Sequence, residues 1–377
     1  MKHEHSVQVA TRIALFRVQQ DYAEMVKSGS FSLCELFNPD DFNLSDYCRQ
    51  YNPHPQTEQL VGVVKEFGER FGIWLPNARH YVTSALFLFP DADFQRATAL
   101  VKNLATDYYL NDTMGREIYK YLNKDQQKEA RELIARITSL DEELQTVPHA
   151  RGVELANVEM LSEIRDISPL PWFMEFLKLY LYHIEVTHRD NSAAALGYIP
   201  TVEEYISMRK HTSGMPHIIS LAEYSDNKFL DWNWLAEVKL DAHLRRIHRT
   251  VALFGCLTND LFSFEKEVID RNADPNLVMA VAMNNPEMSF TEIIHFAASI
   301  VKNVLTDFLS LTERILGRIR SLPASEETAT LFTHMGTMEK IVQASWIWQV
   351  YTKRYKREQS IWTETRLQEV SKLVSLS

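Results

Sequence analysis

The stretch NDLFSFEKE, residues 259 to 267, sets an amide, a hydroxyl and a carboxylate at every fourth position. On an α-helix each residue turns about 100°, so Asn259, Ser263 and Glu267 drift only about 40° per step and share a face. All three are hard oxygen donors, which suit Mg²⁺ better than Zn²⁺. They do not fill an octahedron. Mg²⁺ completes its shell with waters and substrate phosphates, so the pattern anticipates a phosphorylated ligand. Lys266, next to the carboxylate, adds a cation for that ligand. A helix with Asn, Ser and Glu on one face can also be merely solvated, so the rest of the chain has to decide.

A second cluster lies in ATDYYLNDTMG. Asp107 and Asn111 share a face at i and i+4, while Asp112 is displaced; alone, the cluster reads as a helix terminus. In EEYISMRKHTSGM, Arg209 precedes a polar, Gly-containing break where unpaired backbone groups and a guanidinium could meet an anion. Near the end, WQVYTKRY sets Arg354 beside Tyr355, with Trp348 upstream. Each basic piece by itself reads as surface charge.

The elements that must position these groups are helices. The 377 residues include only 11 Gly and 13 Pro, sparse against average usage of about 7% and 5%. That argues against a turn-rich all-β fold, and neither G-x-x-x-x-G-K-[ST] nor a strand-flanked G-x-G-x-x-G is present. Helices are expected over 57–72 and 91–122, with breaks at Pro76 and Pro90, over 124–144, and over 168–190 as a buried helix. A long periodic run spans 234–269. Ile293, Phe296, Ala297, Ile300, Val304, Phe308 and Leu311 mark the apolar face of the next helix, and the last runs from about 325 to 354. With no repeat or convincing linker, residues 1–377 read as one all-α domain, partly irregular over about 1–56 and peripheral over about 356–377.

Forty Lys+Arg against fifty Asp+Glu give a formal charge of −10, so no broad attraction to nucleic acid or anionic lipid is expected and any anion must be held locally. Cys34, Cys48 and Cys256 are scattered without C-x-x-C spacing, as in a chain from a reducing compartment. No apolar run approaches the roughly 18 residues of a membrane span. The start, MKHEHSVQVATRIALFRVQQD, lacks the features of a secretory signal. A cytoplasmic protein without stable membrane insertion is expected.

Together the pieces resemble one family, the class I terpene synthases of bacterial type. That family carries an N-D-[LIV]-x-S-x-x-K-E motif, matched here at Asn259, Asp260, Leu261, Ser263, Lys266 and Glu267. Its Asp-rich motif is matched at its first position by Asp107 and at its last by Asp112, but Tyr108 stands where the second Asp is usual, which leaves open whether Asn111 substitutes. Its diphosphate-sensing arginine, in a Y-x-x-x-R-like stretch before a helix break, looks like Arg209. Its W-x-x-x-T-x-R-Y signature is matched by Trp348, Thr352, Arg354 and Tyr355.

The resemblance implies an α-helical bundle around a central active-site cavity. It implies three Mg²⁺ ions held by Asp107, Asn111, Asp112, Asn259, Ser263 and Glu267, with Arg209, Lys266, Arg354 and the Tyr355 hydroxyl completing the diphosphate shell. The implied reaction ionises a linear prenyl diphosphate and cyclises the carbocation to a di- or sesquiterpene hydrocarbon or alcohol, releasing diphosphate. Geranylgeranyl and farnesyl diphosphate both stay open, with a slight lean to the former. A dry pocket with aromatic faces would guide the cation at about 0.5–2 kcal/mol per contact; Phe87, Phe89, Trp346 and Trp348 are the candidates. A homodimer is compatible with all of this.

Three rivals exist. Glu185-His188 and Glu292-His295 have the E-x-x-H spacing of ferritin-like di-iron proteins, which also need two further inward glutamates. Tyr108 in the Asp-rich motif supports a noncatalytic prenyl-diphosphate-binding protein of the same fold. Prenyl chain elongation would call for a second Asp-rich motif where the Asn-Ser-Glu triad stands.

Overall fold

Capping side chains and chain breakers set the helix boundaries in the computed structural model, which describes residues 2–115 and 118–367. The principal helices are α1 (Lys2–Ser28), α2 (Thr57–Arg70), α3 (Ala78–Leu88), α4 (Phe94–Met114), α5 (Lys124–Thr138), α6 (Gly152–Asp166), α7 (Leu170–Thr187), α8 (Val202–Thr212), α9 (Met215–Asp226), α10 (Trp232–Glu237), α11 (Asp241–Phe264), α12 (Leu277–Asn284), α13 (Phe290–Arg320) and α14 (Glu326–Tyr351). Among the described residues no strand forms, only isolated bridges between Phe31 and Trp362 and between Arg357 and Arg366. The architecture is all-α, as the sparse Gly and Pro predict.

Asp93 starts α4 by accepting from the Arg96 amide, and Thr201 with Glu204 forms a capping box at α8. Gly115 ends α4: the chain folds back so tightly that a Cβ there would lie 2.4 Å from the Asn111 carbonyl oxygen. Between α8 and α9 stands Gly214 at φ 76°, a left-handed conformation that glycine adopts without steric cost, followed by Pro216 in the first turn of α9.

The helix carrying residues 259–264, α11, is central. It packs against α13, α14, α9, α8 and α12, while α4 packs against α3, α2, α6 and α9. One long side of α13 is buried through Ile293, Ala297, Val301, Leu305, Phe308 and Leu311. By length and composition alone α13 could cross a membrane. Phe296, expected on its apolar face, is 41% exposed. Position 296 lies on the opposite flank from the face that meets α11.

The start of the chain is α1, a continuous 27-residue helix that packs along α12 and reaches α13, and the irregular part of residues 1–56 follows it. Two sequence expectations change. The run 234–269 is broken at Lys239, which takes φ 60°, and it ends in a π-helical turn, Glu265–Asp270. The segment after residue 355 is not peripheral through residue 367: Ser360, Ile361 and Trp362 are fully buried. Glu265 explains the anchoring of both ends. Its buried carboxylate accepts from the Tyr22 hydroxyl (2.9 Å), Ser360 Oγ (2.7 Å) and the Ile361 amide (2.9 Å). Residues 368–377 lie outside the described part of the chain.

Glu223, at the C-terminal end of α9, is 6% exposed, and burial pushes its carboxyl up to about 7 although the Leu230 amide donates to it at 2.8 Å. An acid raised in the fold costs nothing while protonated in both states and destabilises once the unfolded chain can ionise. The penalty therefore grows between the ordinary carboxylate range and pH 7. Glu223→Gln is expected to stabilise the protein by about 1–3 kcal/mol at pH 8 and by little at pH 4.5. Denaturant unfolding at the two pH values checks this.

Candidate active site

One cavity, with about 1040 Å³ of atom-free space including its open mouth, lies between α3, α4, α7, α8, α9, α11 and α14. It is lined by Asp107, Asn111, Arg209, Asn259, Lys266, Glu267, Arg354 and Tyr355. These residues come from four well-separated parts of the sequence. Leu88, Leu104, Ile218, Met215 and Ala344 add apolar surface to the same cavity. Charged and apolar groups lining one cavity suit a ligand with an anionic head and a hydrocarbon tail.

The Asn-Ser-Glu face is built across a change of helix type. Asn259 and Ser263 lie on α11, but Glu267 sits in the π turn, where wider i→i+5 bonding advances each residue by less than an α-helix does. The uniform rotation expected from spacing therefore stops at residue 264. Asn276 bridges the wide turn, donating to the Asp260 carbonyl oxygen (2.8 Å) and the Glu267 carboxylate (3.1 Å). The Asn259 amide is fixed by partners on the C-terminal side of the chain. Its Nδ2 donates to Gln349 Oε1 (3.1 Å) and the Tyr355 hydroxyl (2.8 Å), leaving Oδ1 to accept from Arg209 Nη2 (3.0 Å). Ser263 is 1% exposed and does not line the cavity; its Oγ has no hydrogen-bond partner among the described residues. A buried hydroxyl without a partner, one α-helical turn from the Asn259 amide, and a carboxylate that lines the cavity with that amide are hard oxygen donors, and donors of this type suit Mg²⁺.

Arg209 is held by a residue that spacing did not place in the site. Asp260, with no exposed surface, accepts from Arg209 Nε at 2.7 Å, from the Tyr205 hydroxyl and from the Leu277 amide at 3.1 Å. Burial would push the Arg209 guanidinium down, but the Asp260 carboxylate outweighs it and holds the guanidinium well above its ordinary range. The signal was present in sequence: Tyr205 and Arg209 are one helical turn apart, and Asp260 occupies the second position of NDLFSFEKE.

The Asp-rich helix behaves differently from expectation. Among the described residues no three His, Cys, Asp or Glu side chains close on one point. Asp107 is instead drawn to His183 Nε2 at 2.8 Å, and Asp112 is bound by both terminal nitrogens of Arg354 at 3.1 and 2.9 Å. Burial alone would raise the Asp107 carboxyl, but His183 outweighs it and the group sits near about 2. Asp112 does not line the cavity; it orients Arg354. Tyr108, in place of an acid, stacks on Tyr81 with ring centroids 4.7 Å apart. The Arg354 guanidinium lies 5.4 Å from the Tyr108 ring centre and 5.8 Å from that of Tyr81. The residue that breaks the acidic pattern thus becomes part of an aromatic shelf under a cation.

Of the aromatic candidates, only Trp348 lines the cavity. Trp346 packs between Phe37 and Phe262, Phe87 lies on Tyr351, and Phe89 is buried at the end of α3. The reason is rotation: residues two apart on a helix point about 200° apart, so Trp346 and Trp348 cannot face one cavity. The di-iron pairs do not converge either. Glu185 is exposed while His188 is buried, Glu292 caps α13, and His295 meets the edge of Phe31.

Gly255 shapes the cavity floor. A Cβ there would come within 2.7 and 2.9 Å of the Met215 methyl and sulfur and 3.3 Å of Ser345 Oγ. The thioether is flexible and would swing into the cavity, so Gly255→Ala is expected to remove about one methyl group's worth of space, changing kcat/KM roughly 10-fold and shifting product ratios. Product profiling alongside thermal unfolding checks that the fold is retained.

A family model described as terpene synthase family 2, C-terminal metal binding, matches residues 111–307, just over half of the chain. The 10-epi-cubebol synthase of Sorangium cellulosum (strain So ce56) is 25% identical over 313 residues, covering 80% of this chain and 94% of that protein. Terpene synthase 1 of Dictyostelium purpureum is 22% identical over 354 residues, covering 91% and 88%. Among solved structures, the linalool/nerolidol synthase from Streptomyces clavuligerus, in complex with 2-fluorogeranyl diphosphate, superposes with a TM-score of 0.65 at 14% identity, covering 79% of this chain and 96% of that one. The hard-donor face, the buried arginine and these likenesses agree: the chain belongs to terpene synthase family 2, enzymes of the class I terpene synthase type with an all-α fold.

Proposed function

We propose that this enzyme is a Mg²⁺-dependent terpene cyclase that ionises geranylgeranyl or farnesyl diphosphate and closes the resulting carbocation into a ring, releasing diphosphate. The observation that carries the reading is the convergence of Asn259 and Glu267 with Arg209, Lys266, Arg354 and Tyr355 on one cavity that Leu88, Leu104, Met215 and Ile218 also line. The likeness to a synthase holding 2-fluorogeranyl diphosphate supports an allylic diphosphate as the substrate class.

Bound Mg²⁺, held by Asn259, Ser263 and Glu267 and on the opposite side by Asp107 and Asn111, would neutralise charge developing on the leaving diphosphate. The chain's own cations do the rest. Arg209, fixed by Asp260, and Arg354, fixed by Asp112 and the Tyr81–Tyr108 shelf, present donors whose positions are set before the ligand arrives. The Tyr355 hydroxyl accepts from the Asn259 amide, which fixes its oxygen on the cavity wall. The apolar residues would shield the cation from water, and the Trp348 and Tyr108 rings line the same cavity.

Parallel incubation with geranyl, farnesyl and geranylgeranyl diphosphate, with Mg²⁺ or EDTA, is the test. Mass analysis of the extract is expected to show a cyclic product from one of the two longer substrates in the Mg²⁺ samples alone. In a parallel sample supplied with isopentenyl diphosphate, a soluble diphosphate of increased chain length would favour elongation instead, and absence of turnover with all three would reject the reading.

A further inference from the structure

We propose that His183 is a positioning residue that joins the Asp107 carboxylate to the helix end carrying Arg209, so that metal loading and diphosphate capture are coupled. This rests on the functional reading above and deepens it.

His183 projects from α7 and is 4% exposed. Its Nε2 lies 2.8 Å from Asp107 Oδ1, and since a carboxylate only accepts, the ring nitrogen donates. Its Nδ1 faces the His211 carbonyl oxygen at 3.2 Å and Thr187 Oγ1 at 3.0 Å, and Thr187 Oγ1 is 3.2 Å from the Thr212 carbonyl oxygen. His211 and Thr212 are the last two residues of α8, two and three positions after Arg209. Arg209 in turn donates to the Asn259 amide oxygen on the opposite wall. A continuous polar chain therefore runs from the Asp-rich helix to the Asn-Ser-Glu face through one imidazole.

The ring has little freedom. The His217 ring lies beside it with centroids 5.0 Å apart. The break itself rests on the pair: a Cβ on Gly214 would stand 2.9 Å from the His217 ring and 3.1 Å from His183 Nε2. A shift of Asp107 toward a bound cation must therefore be followed by the imidazole, and the imidazole cannot follow without disturbing the end of α8. Partners that orient a metal-binding carboxylate act in this way on affinity without touching the ion.

Calorimetric titration of inorganic diphosphate into the enzyme, at limiting and at saturating Mg²⁺, tests this. His183→Ala is expected to weaken diphosphate binding by about 10- to 100-fold at limiting Mg²⁺ and to raise the Mg²⁺ midpoint. His183→Gln, which keeps a donor toward Asp107, should restore most of the loss; rescue by the donor separates positioning from simple packing. Thr187→Val removes one of the two links to α8, leaving the His211 carbonyl contact, without vacating the ring site, and should weaken binding at limiting Mg²⁺ by about 3- to 10-fold. If His183→Ala matches wild type in affinity and midpoint, or the glutamine variant is as weak as the alanine one, the assignment is overturned. If neither His183 variant folds, Thr187→Val decides, and unchanged affinity there overturns it. Wild-type protein that takes up no diphosphate with Mg²⁺ would overturn the parent reading as well, whereas wild type that binds normally confines the failure to His183.

Discussion

Asp260→Ala is expected to abolish turnover and to destabilise the fold by about 3–5 kcal/mol, the cost of stranding a buried charge. Arg209 is 5% exposed and Asp260 has no exposed surface, so neither water nor another carboxylate can replace the 2.7 Å bond between them. The Tyr205 hydroxyl and the Leu277 amide lose their acceptor at the same time. Two further variants separate stability from function. Asp260→Asn keeps the volume and one acceptor but removes the charge, so it should fall between alanine and wild type. Adding Arg209→Met to Asp260→Ala removes the stranded guanidinium and should recover part of the stability while turnover stays absent. Denaturant unfolding with product assays on the same preparations reads both quantities, and an Asp260→Ala protein as stable as wild type would contradict the buried-pair argument.

Ser263→Ala and Glu267→Gln should act on turnover with opposite or no effect on the fold. Ser263 Oγ is buried and has no partner among the described residues, a situation that costs about 1–3 kcal/mol in the metal-free protein. Alanine is therefore expected to raise the metal-free Tm while lowering Mg²⁺-dependent kcat/KM. Glu267→Gln retains an oxygen for the Asn276 amide and so should fold normally. By removing a charged donor it should lower kcat/KM by about 10²- to 10³-fold or more, the scale set by losing one preorganised electrostatic contact. A Ser263→Ala enzyme that is less stable yet fully active would assign the hydroxyl a structural role. Comparing Tm with and without Mg²⁺ separates the two roles.

Much of the fold was legible because long amphipathic helices announce themselves by period and by breakers. Thr57–Arg70, Leu170–Thr187 and Glu326–Tyr351 lie within the spans that pattern alone suggests. The N-terminal helix was harder to read, since polar residues are spread around much of α1 and its anchoring depends on Tyr22 reaching Glu265, 243 residues away. Burial of Ser360–Trp362 has a similar origin, because a short irregular segment carries no periodicity and is held by that carboxylate and by the Phe31 backbone, both remote in sequence.

By itself the sequence determined which chemistry was available: hard oxygen donors at four-residue spacing, arginines at a helix break and beside a tyrosine, and a chain rich in helix formers. Local geometry is enough for that, since spacing along a helix converts directly into a shared face. Only the tertiary structure decided how those groups are used. It turned Asp112 toward Arg354 and Asp107 toward His183, made Asp260 the anchor of Arg209, placed Tyr108 beneath a guanidinium, and sent Trp346 into the core while leaving Trp348 at the cavity. Each of these outcomes pairs residues from distant segments, and the physical reason is common to them all. A charge or ring that loses water must find its partner in whichever helix the fold brings alongside, and one helix's own pattern carries no record of its neighbour.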